Sequence, residues 1–173
     1  MARVFVGVGS NIDPAENVPA ALRLLAKEVR VVATSLFYET LPLGRPEQPA
    51  FYNGVVEIAT DLPPDDLRQL LRRIETQLGR RRSRDPYAAR TIDLDLLLYE
   101  GQVCESPPIP DPEITERPFL ALPLAELAPD LLHSGLQRPL REIAATLPHQ
   151  DMKPLAELTQ QLRKEIENGQ GQG

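Results

Sequence analysis

Apolar residues along this chain keep two rhythms, one of period two and one of period 3.6, and the two alternate. Residues 4–10, VFVGVGS, are β-branched and apolar up to a Gly-Ser-Asn stop, which predicts a strand. Asp13 is then placed as an N-cap, with Pro14 at the first helical position and Glu16 completing a capping box. The helix is predicted to run to about Lys27, with Val18, Ala21, Leu22 and Leu25 along one side. A second strand is expected over 30–40, RVVATSLFYET, then a proline-rich loop over 41–50 and a third strand over 51–60, FYNGVVEIAT. Pro63 and Pro64 open a second helix, whose buried stripe is Leu67, Leu70, Leu71, Ile74 and Leu78 and whose stop is Gly79. A charged loop over 79–89 leads into a fourth strand, TIDLDLLLY.

The order is β-α-β-β-α-β. It predicts an α+β fold of the ferredoxin-like kind, an antiparallel sheet with helices on its faces and extra C-terminal elements. The extra elements are a proline-rich loop over 106–112 and helices near 117–127 and 139–146. Residues 1–150 are expected to form one domain, and 151–173 a polar helical tail that frays into GQGQG.

The fourth strand raises the chemical question. In RTIDLDLLLY (90–99), strand alternation points Ile92, Leu94, Leu96 and Leu98 to one face and Asp93, Asp95, Leu97 and Tyr99 to the other. Two carboxylates then stand roughly 7 Å apart on one face. Unpaired, they would repel each other and lose hydration, so a positive partner is expected. Arg72, Arg73, Arg80, Arg81, Arg82, Arg84 and Arg90 fall just before them.

Composition narrows the chemistry. The 173 residues suit one domain with a real core. No apolar run is long enough for a membrane span, and the apolar part of MARVFVGVGSN is too short for a signal peptide, so a cytoplasmic protein is expected. One cysteine, Cys104, and two scattered histidines exclude a disulfide within the chain and a zinc cluster; His133 and His149 are read as surface residues. A net charge of −6 argues against nucleic acid as a partner of the whole chain. Neither a P-loop nor a complete dinucleotide fingerprint is present, so side chains would have to hold any phosphates.

On the residues alone, Asp93 and Asp95 fit either a solvated sheet face paired with arginines or a magnesium site, since Mg²⁺ takes one or two carboxylates and completes its shell with water and phosphate oxygens. The arginine run likewise fits an RNA patch or a triphosphate site. RNP motifs are absent and aromatic residues make up only 5% of the chain, which weakens the RNA reading. Arginine suits phosphate through planar bidentate contacts.

RTIDLDLLLY preceded by IETQLGRRR resembles the signature of the 6-hydroxymethyl-7,8-dihydropterin pyrophosphokinases of folate biosynthesis. GVGSN resembles the family's first strand and turn. SLFYETLPLG with FYNGVV resembles its pterin-binding loop and strand, and ERPFLALPLAELAP its segment after the last catalytic loop. The resemblance spans residues 4 to about 146. It implies an ATP- and Mg²⁺-dependent transferase that moves pyrophosphate from ATP to the pterin hydroxymethyl group and leaves AMP, acting as a monomer or a weak homo-oligomer without nucleic acid or membrane.

By that resemblance Asp93 and Asp95 would bind two Mg²⁺ ions, and Arg80, Arg82 and Arg90 would join them in catalysis. The nucleotide would meet Glu75, Arg82, Arg90, Leu96, Asp111 and Arg117. The pterin would stack between Phe51 and Phe119, pair with Asn53, and meet the backbone of Thr40, Leu41, Leu43 and Gly44; Gly9 and Asn11 would shape the adjoining turn. Two departures stand out: Asp85, Pro86 and Tyr87 replace an Arg-Trp pair frequent in the family, and Asp111 with Pro112 replaces a His and an aromatic.

Overall fold

A computed structural model describes residues 1–41, 47–79, 89–149 and 151–171. Strand β1 (Ala2–Ser10) lies between β4 (Phe51–Thr60) and β5 (Asp93–Tyr99), antiparallel to both. A central strand is covered on both faces, which explains why Val4, Phe5, Val6 and Val8 are all buried rather than alternating with polar residues. Val4, Val6 and Val8 face the helices α1 (Pro14–Ala26) and α2 (Pro64–Gln77). Phe5 faces a second layer built by α3 (Pro118–Leu127) and α4 (Leu140–Ala145). The chain is thus α+β, with helices on both faces of an antiparallel sheet.

The expected 30–40 strand is two strands, β2 (Arg30–Thr34) and β3 (Tyr38–Thr40), both paired with β4. The break falls where Phe37 turns inward and its ring occupies the space over Gly54, 2.7 Å from where a Cβ would stand. Two short hairpins follow β5: β6–β7 (Cys104–Glu105, Pro108–Ile109) and β8–β9 (Leu132–His133, Arg138–Pro139). Strand β10 (Lys153–Pro154) then adds to the outer side of β3, giving the sheet order β10-β3-β4-β1-β5 with β2 also on β4.

Three further local expectations are corrected. Asp13 adopts a left-handed backbone (φ 42°, ψ 51°) and makes no side-chain cap; its carbonyl accepts from the N–H groups of Glu16 and Asn17 instead. Residues 156–171 are helical as expected, but as helix α5 (Ala156–Gly171) they dock on α1 and β2 rather than trail as a tail, with Leu162 fully buried in the core. His133 is buried, and its Nδ1 accepts the N–H of Leu136 at 3.2 Å. His149 is exposed. Among the described residues no helix is long and apolar enough to cross a membrane.

Candidate active site

The register of three strands assembles the site. Asn53, Gly9 and Asp93 form one transverse row across β4, β1 and β5, and Val55, Gly7 and Asp95 form the next but one. Directly paired residues on antiparallel strands share a face. Glycine at both β1 positions lets neighbouring side chains close in over the strand; at Gly7 these are Leu97 and Leu120, with Leu97 Cδ1 3.2 Å from where a Cβ would stand. At Gly9 the requirement is steric, because a Cβ there would lie 2.6 Å from the Asn53 Oδ1.

Alternation along β5 holds from Asp93 to Leu97 and then fails. The pairing slips by one residue between Phe5 and Val6, where Leu98 and Leu96 are the partners, so Leu97 is an extra residue on the β5 side. Leu98 joins Leu97 in the α3–α4 layer, while Tyr99 crosses to the α1–α2 layer and donates to the Leu62 carbonyl at 2.7 Å. Tyr99 therefore does not share the face of the aspartates, as strict alternation had predicted.

Neighbouring groups hold the aspartate strand in place. Glu75, on the inner side of α2 and only 3% exposed, accepts the Leu94 N–H at 2.9 Å. Arg90 donates to Asp93 at 2.6 Å and supplies the positive partner that the carboxylate pair required. The Ser10 hydroxyl donates to the Thr91 carbonyl (2.6 Å), and Asn11 brackets Arg90, accepting its N–H with Oδ1 (2.7 Å) and donating its own N–H to the Arg90 carbonyl (3.1 Å).

Glu75, Arg90, Asp93, Leu94 and Asp95 line a cavity of about 570 Å³. At one end are Thr40, Leu41, Phe51, Asn53 and Phe119. Both phenylalanines are half-buried and line the cavity, Phe119 also packing against the α3–α4 layer. The Asn53 Nδ2 donates to the Thr40 Oγ1 at 2.7 Å, which fixes the amide's orientation. At the other end are Glu75, Arg90, Asp93, Asp95, Leu96, Asp111 and Arg117. The described residues expected to touch metal, nucleotide or pterin thus all line one cavity, while Asn11, expected to shape the adjoining turn, does not line it; Leu43, Gly44, Arg80 and Arg82 lie outside the described residues. The cavity also takes in Arg72, named above only within the arginine run, and Arg68 and Glu113, which had not been singled out. Arg68, Arg72 and Glu75 follow one another at helical spacing beside the apolar stripe of α2, a pattern that could have placed them.

Charge in the cavity is unbalanced locally. The Asp95 side chain is exposed into this concave site, where the surrounding protein limits hydration and holds its carboxyl well above the usual range. Asp93, Asp111 and Glu75 add to that rise, and Arg90 opposes it. Burial also raises Asp111, against the N–H of Glu113 that it accepts at 2.9 Å, and raises Glu113. Such a site favours whatever brings positive charge to Asp95. Among the described residues no group of three or more His, Cys, Asp or Glu is placed to hold a metal by itself. A pair of carboxylate oxygen donors fits a hard divalent cation whose shell is completed by water and substrate.

Residues 5–129 match the model of the family described as 7,8-dihydro-6-hydroxymethylpterin-pyrophosphokinase (HPPK). A 2-amino-4-hydroxy-6-hydroxymethyldihydropteridine pyrophosphokinase of Pseudomonas aeruginosa is 41% identical over 159 residues, covering 88% of this chain and 96% of its own. The folic acid synthesis protein fol1 of Schizosaccharomyces pombe is 39% identical over 156 residues, but those are 86% of this chain and 21% of that longer one. The wild-type HPPK-DHPS of Plasmodium falciparum, solved with STZ-DHP, superposes with a TM-score of 0.68 over 84% of this chain and 43% of that one, at 15% identity, a likeness of fold.

Proposed function

The chain belongs to the 7,8-dihydro-6-hydroxymethylpterin-pyrophosphokinase family, and we propose that its cavity takes the pterin at the Asn53 end and ATP with Mg²⁺ at the Asp93–Asp95 end. The reaction is pyrophosphoryl transfer to hydroxymethyldihydropterin in folate biosynthesis. ATP is the donor in this reading, and AMP leaves as the β-phosphorus is attacked in line.

The observation that carries the reading is that Phe51, Asn53 and Phe119 line the same cavity as Asp93 and Asp95. The pterin is a flat bicycle with an amide-like edge. The rings of Phe51 and Phe119 offer it faces, and the oriented amide of Asn53 with the backbone of Thr40, Leu41, Leu43 and Gly44 offers its edge hydrogen bonds. With Asn53 and Asp93 in one transverse row, two strand spacings apart, about 10 Å separates the two ends. That span allows a hydroxymethyl arm to meet a bound triphosphate.

Asp93 and Asp95 are the residues that would hold Mg²⁺, two ions in this reading; when bound, the ions would neutralise triphosphate charge. Arg90 and Arg117, with Arg80 and Arg82, hold phosphate oxygens, and Glu75, Leu96 and Asp111 border the nucleotide. Catalysis by the chain is then positioning and charge compensation in a site that limits water. The RNA alternative rests on the arginine run over 80–84, which lies outside the described residues.

Binding of 6-hydroxymethylpterin, followed by its own fluorescence, tests the reading. Asn53→Ala and Phe119→Ala should each weaken it about tenfold, the loss expected from one buried hydrogen bond or one stacked ring. Unchanged affinity in both variants would remove the pterin from this end of the cavity.

A further inference from the structure

The C-terminal segment lies beyond the residues that match the family model, which end at 129. It is nevertheless tied to the strand break at Ser35–Phe37, and that break leads directly into β3, whose Tyr38 pairs with Asn53. Both backbone polar groups of Phe37 are bonded by the segment: its N–H donates to the Thr159 Oγ1 at 3.0 Å, and its carbonyl accepts the Leu155 N–H at 2.7 Å. Thr159 is 1% exposed, and its hydroxyl proton goes to the Leu155 carbonyl at 2.8 Å, so the oxygen is oriented to accept from Phe37. Arg163, one helical turn on, donates to the Thr34 carbonyl at 3.3 Å and lies 3.7 Å from Glu126, whose carboxylate accepts the Leu36 N–H. Strand β10 closes the outer side of β3, pairing Lys153 with Glu39 and Pro154 with Tyr38.

From Phe37 two short paths reach the pocket. Its ring fills the place of a Gly54 side chain, and Gly54 is the residue after Asn53. Its chain continues into β3, where Tyr38 pairs with Asn53 and Thr40 accepts the Asn53 amide. A shift of Phe37 would therefore move Asn53 and Thr40 together, and leave Asp93 and Asp95, on the far side of β1, in place.

We propose that Thr159, with the 153–171 segment that carries it, is a positioning element for the pterin half of the site and not for the nucleotide half. The proposal rests on the reading above that Asn53 and Thr40 bind the pterin. In Thr159→Val the volume is kept and the hydroxyl is lost. The KM and Kd for the pterin should rise about tenfold, while the KM for ATP and the kcat at saturating pterin stay within twofold of wild type. Thr159→Ser, which restores the hydroxyl, should bring the pterin values back. A Thr159→Val enzyme with wild-type pterin affinity, beside an Asn53→Ala enzyme whose affinity falls, would overturn the positioning role and leave the pocket reading intact. Wild-type affinity in both variants would overturn both. An equal loss for ATP and pterin would also overturn the proposal, since it would mark a general structural role. If Thr159→Val does not fold, Arg163→Ala, altered at a partly exposed side chain, serves in its place: a two- to threefold rise in pterin KM at unchanged ATP KM supports the role, and no rise overturns it.

Discussion

Asn53 and Asp93 stand on one face of the sheet in a single transverse row, with only Gly9 between them. The row joins the amide proposed for the pterin edge to the carboxylate proposed for the metal. Nothing taller than a hydrogen can occupy the middle position without striking the Asn53 Oδ1, 2.6 Å from where a Cβ would be.

Gly9→Ala should therefore act on the pterin end first. The new methyl displaces the Asn53 amide, so pterin KM should rise at least tenfold with the KM for ATP nearly unchanged. Steady-state kinetics with each substrate varied in turn checks this. An equal rise for both substrates would contradict the assigned ends.

Asp95 carries the site's charge imbalance, with Asp93, Asp111 and Glu75 beside it. Asp95→Asn keeps the shape and removes a carboxylate crowded by Asp93, Asp111 and Glu75. Turnover should fall about 10²–10³-fold, as when a group acting on transition-state charge is lost. The ligand-free protein at pH 7 should be no less stable to heat than wild type, because one member of a mutually repelling carboxylate group is gone. A variant that is active and less stable would refute this balance.

Glu75 separates shape from charge. Glu75→Ala removes the acceptor of the buried Leu94 N–H and should cost about 1–3 kcal/mol in denaturant unfolding. Glu75→Gln keeps an acceptor and removes one negative charge beside Asp95, so its unfolding free energy should stay close to wild type. Equal losses in the two variants would show that the charge, not the hydrogen bond, supports the strand.

His133 should set part of the pH dependence of stability. Burial lowers its pKa from the ordinary 6.5, and its Nδ1 already accepts the Leu136 N–H, so a second proton costs that bond. Well above pH 6.5 neither folded nor unfolded chain is protonated there. As the pH falls below that value the unfolded chain takes up the proton first, and stability declines until the folded form is protonated too. Stability curves from pH 7.5 to 5 should fall more steeply for wild type than for His133→Gln. Parallel curves would exclude the histidine as the cause.

How far these features were legible in the sequence depends on whether a local or a distant contact decides them. Alternation placed Asp93 and Asp95 on one face because strand period is a local property. The extra residue at Leu97 is set by pairing with β1, and nothing in LDLLLY marks it. Likewise Ser35, Leu36 and Phe37 carry no Gly or Pro; the break there follows from Gly54 and Thr159, distant in sequence. The docking of α5 did have a signal, Leu155, Leu158, Leu162 and Ile166 at helical spacing, but it is a narrow stripe among Glu, Gln and Lys and reads as a solvated helix until its partners are known.

The central claim is that one cavity couples a pterin end to a metal-dependent triphosphate end, and product identity tests it most directly. The protein is mixed with ATP, Mg²⁺ and 6-hydroxymethyl-7,8-dihydropterin, and AMP is separated from ADP. AMP that requires the pterin and disappears when Mg²⁺ is chelated is the predicted result. ADP in its place, or AMP formed equally without Mg²⁺, would contradict the claim.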